Sequence, residues 1–162
     1  VQLTRSGTSL REVIAAADLL RDDWGVESDI WSAPSFNELR RDGIDCERWN
    51  LLHPMDEPRV PHVAACVSSK PGPVIAATDY MRIYADSVRP YIKKTFKVLG
   101  TDGFGRSDSR DNLRRFFEVN RFYVTLAALS ALADDGLIER KVLADAIKKY
   151  GIDPNKPNPT TV

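Results

Sequence analysis

The residues best placed to do chemistry lie in one stretch, Gly100-Thr101-Asp102-Gly103-Phe104-Gly105-Arg106-Ser107. Glycines let backbone N–H groups approach an anion closely, and a helix that follows such a turn offers its positive end to phosphate. The order here is Gly-x-x-Gly-x-Gly, not the dinucleotide fingerprint, and no Gly-Lys-Ser/Thr follows. Two readings stay open for Gly100, Asp102, Phe104 and Gly105: a phosphate cradle or a packed structural turn. Arg106, Arg110 and Arg114 then recur every four residues. Arginine's planar donor fork suits carboxylates and phosphates, so these three could form a docking patch. They could equally be a solvated face, with an Asp111–Arg115 pair worth about 0.3 kcal/mol.

The other reactive side chains are sparse. His53 precedes a proline and His62 follows one, and neither has a carboxylate or cysteine at metal-ligand spacing. Cys46 and Cys66 lie 20 residues apart. That fits neither a zinc knuckle nor a disulfide framework, and points to two structural thiols in a reducing compartment. No Gly-x-Ser-x-Gly elbow is present. Residue types and spacing therefore assign no catalytic, cofactor-binding or metal residue to this chain.

The elements that must position these groups alternate. Residues 1–4 alternate apolar and polar, as a strand does. Ser9 with Glu12 reads as a capping box, opening a helix whose stripe of Leu10, Val13, Ile14, Ala17, Leu20 and Trp24 has the helical period. Residues 29–31 form a second strand. Ser35 with Glu38 opens another helix, which Gly43 is expected to interrupt before a second piece over 46–52. Three prolines make 53–61 irregular, and a short helix follows over 62–67. Residues 74–77, Val-Ile-Ala-Ala between breakers, read as a strand covered on both faces. A helix over 79–87, a fourth strand over 96–100, the glycine turn, and helices over 109–118, 121–134 and 139–150 complete the pattern. Trp24, Trp31 and Trp49 fall where core or interface packing would put them. The alternation predicts a three-layer α/β/α domain over 1–152 with a mostly parallel sheet of about five strands, one edge free to be antiparallel, and a tail over 153–162.

Composition agrees. The chain has 162 residues, 43% hydrophobic and 28% charged, with 23 basic and 23 acidic side chains. A domain of this size buries roughly 70% of its unfolded surface and needs no metal or disulfide staple. Zero net charge argues against a nucleic-acid partner, although residues 1–81 carry −5 and residues 82–162 carry +5. No run approaches the roughly 18 apolar residues of a membrane span. No leader precedes the first strand, which leads to an expectation of cytoplasmic location.

Several segments together carry a resemblance. They are Ser-Phe-Asn-Glu-Leu-Arg-Arg-Asp-Gly (35–43), Glu-Arg-Trp-Asn-Leu-Leu-His-Pro (47–54), Thr-Asp-Tyr-Met-Arg (78–82), Arg-Pro-Tyr (89–91), Leu-Gly-Thr-Asp-Gly-Phe-Gly-Arg-Ser-Asp (99–108) and Tyr-Gly-Ile-Asp-Pro-Asn-Lys-Pro-Asn-Pro (150–159). In this order they resemble the C-terminal domain of the decarboxylating first component of the bacterial pyruvate dehydrogenase complex, of the homodimeric type. The Phe104-Gly105-x-Ser107 piece is similar to a turn shared with transketolases. The resemblance implies a transketolase C-terminal-like fold and, in the full-length subunit, thiamine diphosphate with magnesium. The cofactor carries the chemistry and the protein positions it. It also implies three partners: the upstream domains of the subunit, the second subunit of a homodimer, and the acetyltransferase core. The family's Gly-Asp-Gly and paired asparagines are absent; Arg41-Asp42-Gly43, Thr101-Asp102-Gly103 and Asp135-Gly136 are the nearest segments. The fragment is therefore expected to be structural and inactive alone, with no cofactor of its own. Two rival readings stand beside it: a free-standing phosphate- or nucleotide-binding module using Gly7 and the glycine turn, and a module docking the acetyltransferase core through Arg106, Arg110 and Arg114.

Overall fold

Four short segments become strands in a computed structural model that describes residues 1–7 and 10–162. They are β1 (Gln2–Arg5), β2 (Asp29–Ser32), β3 (Val74–Ala77) and β4 (Phe96–Leu99). The order is β2-β1-β3-β4 and every pairing is parallel. The sheet is thus smaller than the five or so strands the sequence suggests, and no antiparallel edge exists among the described residues. The sequence pattern marks only four strand segments, and everything after β4 folds as helices, turns and loops, so no segment remains to supply a fifth.

Alternation along the strands sorts the core into two halves. On β3, Ile75 and Ala77 face one layer while Val74 and Ala76 face the other, and all four are buried. The first layer holds α1 (Leu10–Trp24), α6 (Arg121–Asp134) and α7 (Arg140–Lys149), joined to the sheet by Leu3, Val13, Leu20, Ile75 and Leu129. The second holds α2 (Phe36–Leu52), α3 (His62–Ser68) and α4 (Arg82–Asp86), around Phe36, Val63, Val88, Tyr91 and Phe96. Each large aliphatic side chain buried in these layers stabilises the fold by about 2 kcal/mol. α5 (Arg110–Phe116) buries none of its residues and lies at the end of the sheet.

Two helices, α2 and α4, depart from the sequence pattern. The Ser9 side of the first capping box falls outside the described residues, and the Glu12 carboxylate is bound elsewhere, as described below. At α2 the Ser35 hydroxyl accepts the Glu38 N–H at 3.3 Å, but Gly43 does not break the helix. A Cβ at Gly43 would sit 2.2 Å from the buried Tyr91 ring, so the glycine opens the helix surface to that ring. α4 starts three residues later than its pattern, because Thr78 folds the chain into a turn by accepting the Tyr80 N–H at 3.1 Å.

The last ten residues form no helix or strand but are held against the domain. Pro159 is buried, its carbonyl 3.0 Å from where a Cβ on Gly103 would lie. Lys156 donates to the carbonyls of Arg115 and Phe116 and pairs with Glu118 at 3.3 Å.

Candidate functional site

β1 connects to β2 through α1 on one face, and β2 connects to β3 through α2 and α3 on the other. The chain therefore leaves β1 and β3 in opposite directions, and a crevice opens between their carboxyl ends. Open parallel sheets bind ligands at such a reversal. Arg5 is the last residue of β1, on the same side as Leu3, and its guanidinium is fully buried there. It donates to Asp79 Oδ1 at 2.7 Å and to the Val119 carbonyl at 3.0 Å, which bridges the crevice. Its Nε is buried with no acceptor. Burial lowers the Arg5 pKa; the charge and hydrogen bond of Asp79 oppose this, while Arg114 adds to it.

Glu12, near the start of α1, accepts from Arg121 three times: from its backbone N–H at 2.9 Å, Nε at 3.1 Å and Nη2 at 2.9 Å. Its carboxylate therefore closes the N-terminus of α6, where negative charge is favoured. Arg114 Nη1 lies 3.5 Å from the same carboxylate. Burial pushes the Glu12 carboxyl up, but the bonds from Arg121 and the charges of Arg121 and Arg114 outweigh it and hold the pKa below 4.5.

A cleft of ≈ 350 Å³ opens at this end of the sheet, with Asp79, Thr101, Arg106, Arg110, Arg114 and Phe117 among its walls. The candidate residues from the sequence divide here. Gly105, Arg106, Arg110 and Arg114 reach the cleft together. Gly100 is a packing position, since a Cβ would meet Arg82 and the Tyr80 carbonyl at 2.8 Å. Asp102 accepts the Arg82 backbone N–H at 3.0 Å and lies 3.4 Å from Arg82 Nε. Phe104 projects outward, 83% exposed. The three arginines do not form a single open face. Arg106 stacks on Phe116 at 4.3 Å, Arg114 is only 12% exposed and turned toward Glu12, and Arg110 has no ion pair among the described residues. No Asp111–Arg115 pair forms there either.

Arg5, Asp79 and Arg121 escaped the sequence reading, and Glu12 entered it only as half of a capping box. The one signal for Arg5 was a charged residue directly after a strand pattern. The remaining reactive groups lie elsewhere. His53 stacks on Trp49 at 4.4 Å, and its Nδ1 is 2.9 Å from the Trp49 carbonyl. His62 Nε2 lies 3.5 Å from Cys66 Sγ one turn along α3, whereas Cys46 is buried in α2. Among the described residues no three His, Cys, Asp or Glu side chains gather as a metal site, and no helix is long and apolar enough to cross a membrane.

The profile of the transketolase-like TK C-terminal domain family matches residues 1–120. The chain belongs to this family. The matched part contains the whole sheet, the glycine turn and α5; α6, α7 and the closing segment follow it. Pyruvate dehydrogenase E1 components also match, in their C-terminal region. That of Cupriavidus necator is 64% identical over 162 residues, covering 100% of this chain and 18% of the relative. Those of Pseudomonas aeruginosa and Escherichia coli K12 are 62% and 55% identical over 160 residues, each covering 98% of this chain and 18% of the relative. The chain thus spans about a fifth of these proteins. Among solved structures, a split gene transketolase in an inactive beta4 tetramer aligns with TM-score 0.55 at 15% identity, over 82% of this chain and 39% of that one. This likeness concerns the fold alone.

Proposed function

We propose that this chain is the C-terminal domain of a cytoplasmic pyruvate dehydrogenase E1 subunit, in which it supports the catalytic domains and carries no catalytic residue. The observation that carries this reading is 64% identity across all 162 residues to one such component. The whole subunit would decarboxylate pyruvate and pass the two-carbon unit to a lipoyl group of the acetyltransferase core. Thiamine diphosphate with magnesium would supply that chemistry when bound elsewhere in the subunit.

The residues of this chain do not fit the cofactor. A magnesium diphosphate needs converging carboxylate and amide oxygens, and the three nearest aspartates are scattered and engaged. Asp42 accepts the His62 backbone N–H at 2.6 Å, Asp102 holds Arg82, and Asp135 accepts from the Thr95 hydroxyl. A packing role has better support. A groove between α2 and α4 exposes Ile44, Met81 and Ile83 beside Arg40 and Arg41, and Leu51 and Met55 are bare further along. Apolar surface of this extent suits contact with neighbouring domains or a second subunit of a homodimer. A domain division at residue 152 belongs to the same proposal, the closing segment acting as a strap on the domain.

A chimera tests the reading. When these 162 residues replace the matching segment of the Pseudomonas aeruginosa component, pyruvate-dependent lipoyl acetylation should persist. Loss of activity in a folded chimera would overturn the assignment, and saturable binding of thiamine diphosphate and magnesium to this chain alone would overturn the supporting role.

A further inference from the structure

We propose that the cleft at the carboxyl ends of β1, β3 and β4 binds a small phosphomonoester through Arg106 and Arg110, with the charge of Arg114 behind them. The cleft walls hold these three arginines against one carboxylate, Asp79, which Arg5 already pairs at 2.7 Å. Among the described residues Arg5 pairs with Asp79, and Arg114 and Arg121 share Glu12, whereas Arg106 and Arg110 have no ion pair. The excess is cationic and sits in a concave, partly apolar place, where charge acts over a longer range than on open surface.

Three observations narrow the ligand to a phosphate ester. Arg114 and Arg5 are both largely buried behind the cleft, each with one carboxylate partner, so their positive charge is held close to the cleft with little solvent around it. Among the described residues, the backbone N–H groups of Gly103 and Gly105, which line the cleft, have no acceptor. Together with the Arg106 and Arg110 forks, they offer more donors than a carboxylate has oxygens to accept, and a phosphate dianion with three terminal oxygens uses them better. Finally, Leu113, Phe117 and Val119 line the same space. An apolar wall beside an anion subsite calls for an organic group on the phosphate, and ≈ 350 Å³ has room for one of modest size. The site belongs to this chain and stands whether or not the larger subunit acts on pyruvate.

Calorimetric titration of the protein with phenyl phosphate at low ionic strength, in buffer free of phosphate, tests the site. Saturable binding at one site per chain is expected, weakened about tenfold or more in the Arg106→Gln/Arg110→Gln double variant. Both side chains are exposed, so that variant should keep its melting temperature; Arg110→Gln alone replaces it if folding suffers. Lys141→Gln, an exposed charge change on α7, should bind as the parent does. Absence of saturation overturns the site, as does unchanged affinity in the arginine variant or an equal loss in Lys141→Gln. Inorganic phosphate should bind more weakly, and equal affinity would overturn the ester.

Discussion

The two ends of β1 each bury a long polar side chain, and they resolve the cost differently. At the amino end, Gln2 is 1% exposed and fully engaged. Its Nε2 donates to Asp29 Oδ2 at 2.9 Å and to the Pro71 carbonyl at 3.2 Å, and its Oε1 accepts from Trp31 Nε1 at 2.7 Å. At the carboxyl end, Arg5 leaves Nε without an acceptor and keeps a like charge, Arg114, within range. Buried polar groups are normally satisfied, and a guanidinium that is not marks a place with a task besides holding the fold. One end of the sheet is closed; the other is open to an added anion.

Substitutions at the two ends test that contrast. Arg5→Met should have the largest effect, lowering stability by about 3 kcal/mol, because the Val119 carbonyl and the Asp79 carboxylate both lose their partner. Denaturant unfolding measures it, and a loss no larger than at the amino end would erase the difference. Gln2→Met should cost less, about 2 kcal/mol, since the orphaned Trp31 N–H and Asp29 are neutral or partly solvated. The smallest effect depends on pH. The Glu12 carboxyl is held below its ordinary 4.5, so its contribution to stability is complete above that pH and is lost as pH falls through the depressed value. The melting temperature of the parent should therefore drop more steeply below pH 4.5 than that of Glu12→Gln. Parallel curves would show that Arg121 and Arg114 do not hold the carboxylate.

Much of the sheet was legible because its strands are short segments, either alternating apolar and polar as in β1 or wholly apolar as in β3. Val74–Ala77 was readable as a central strand from composition alone. The legible part of the site was also local: Gly105, Arg106, Arg110 and Arg114 are near neighbours in sequence and meet at one cleft. The rest depended on distance along the chain. Arg5 reaches Val119 across 114 residues and Glu12 reaches Arg121 across 109, and no local pattern encodes either contact. Gly43 misled for a related reason. Its role is set by Tyr91, which approaches from another element, while its own neighbourhood reads as a helix break. The fifth strand was a count taken from the fold class, with no segment of its own in the sequence, and the residues after β4 form helices α5 to α7 instead.

The seating of Pro159 against Gly103 ties the last residues of the chain to the turn that walls the cleft. Each surface is shaped by the other, so neither can drift independently in evolution. A bulkier residue at the turn should survive only in lineages whose ending has altered to match.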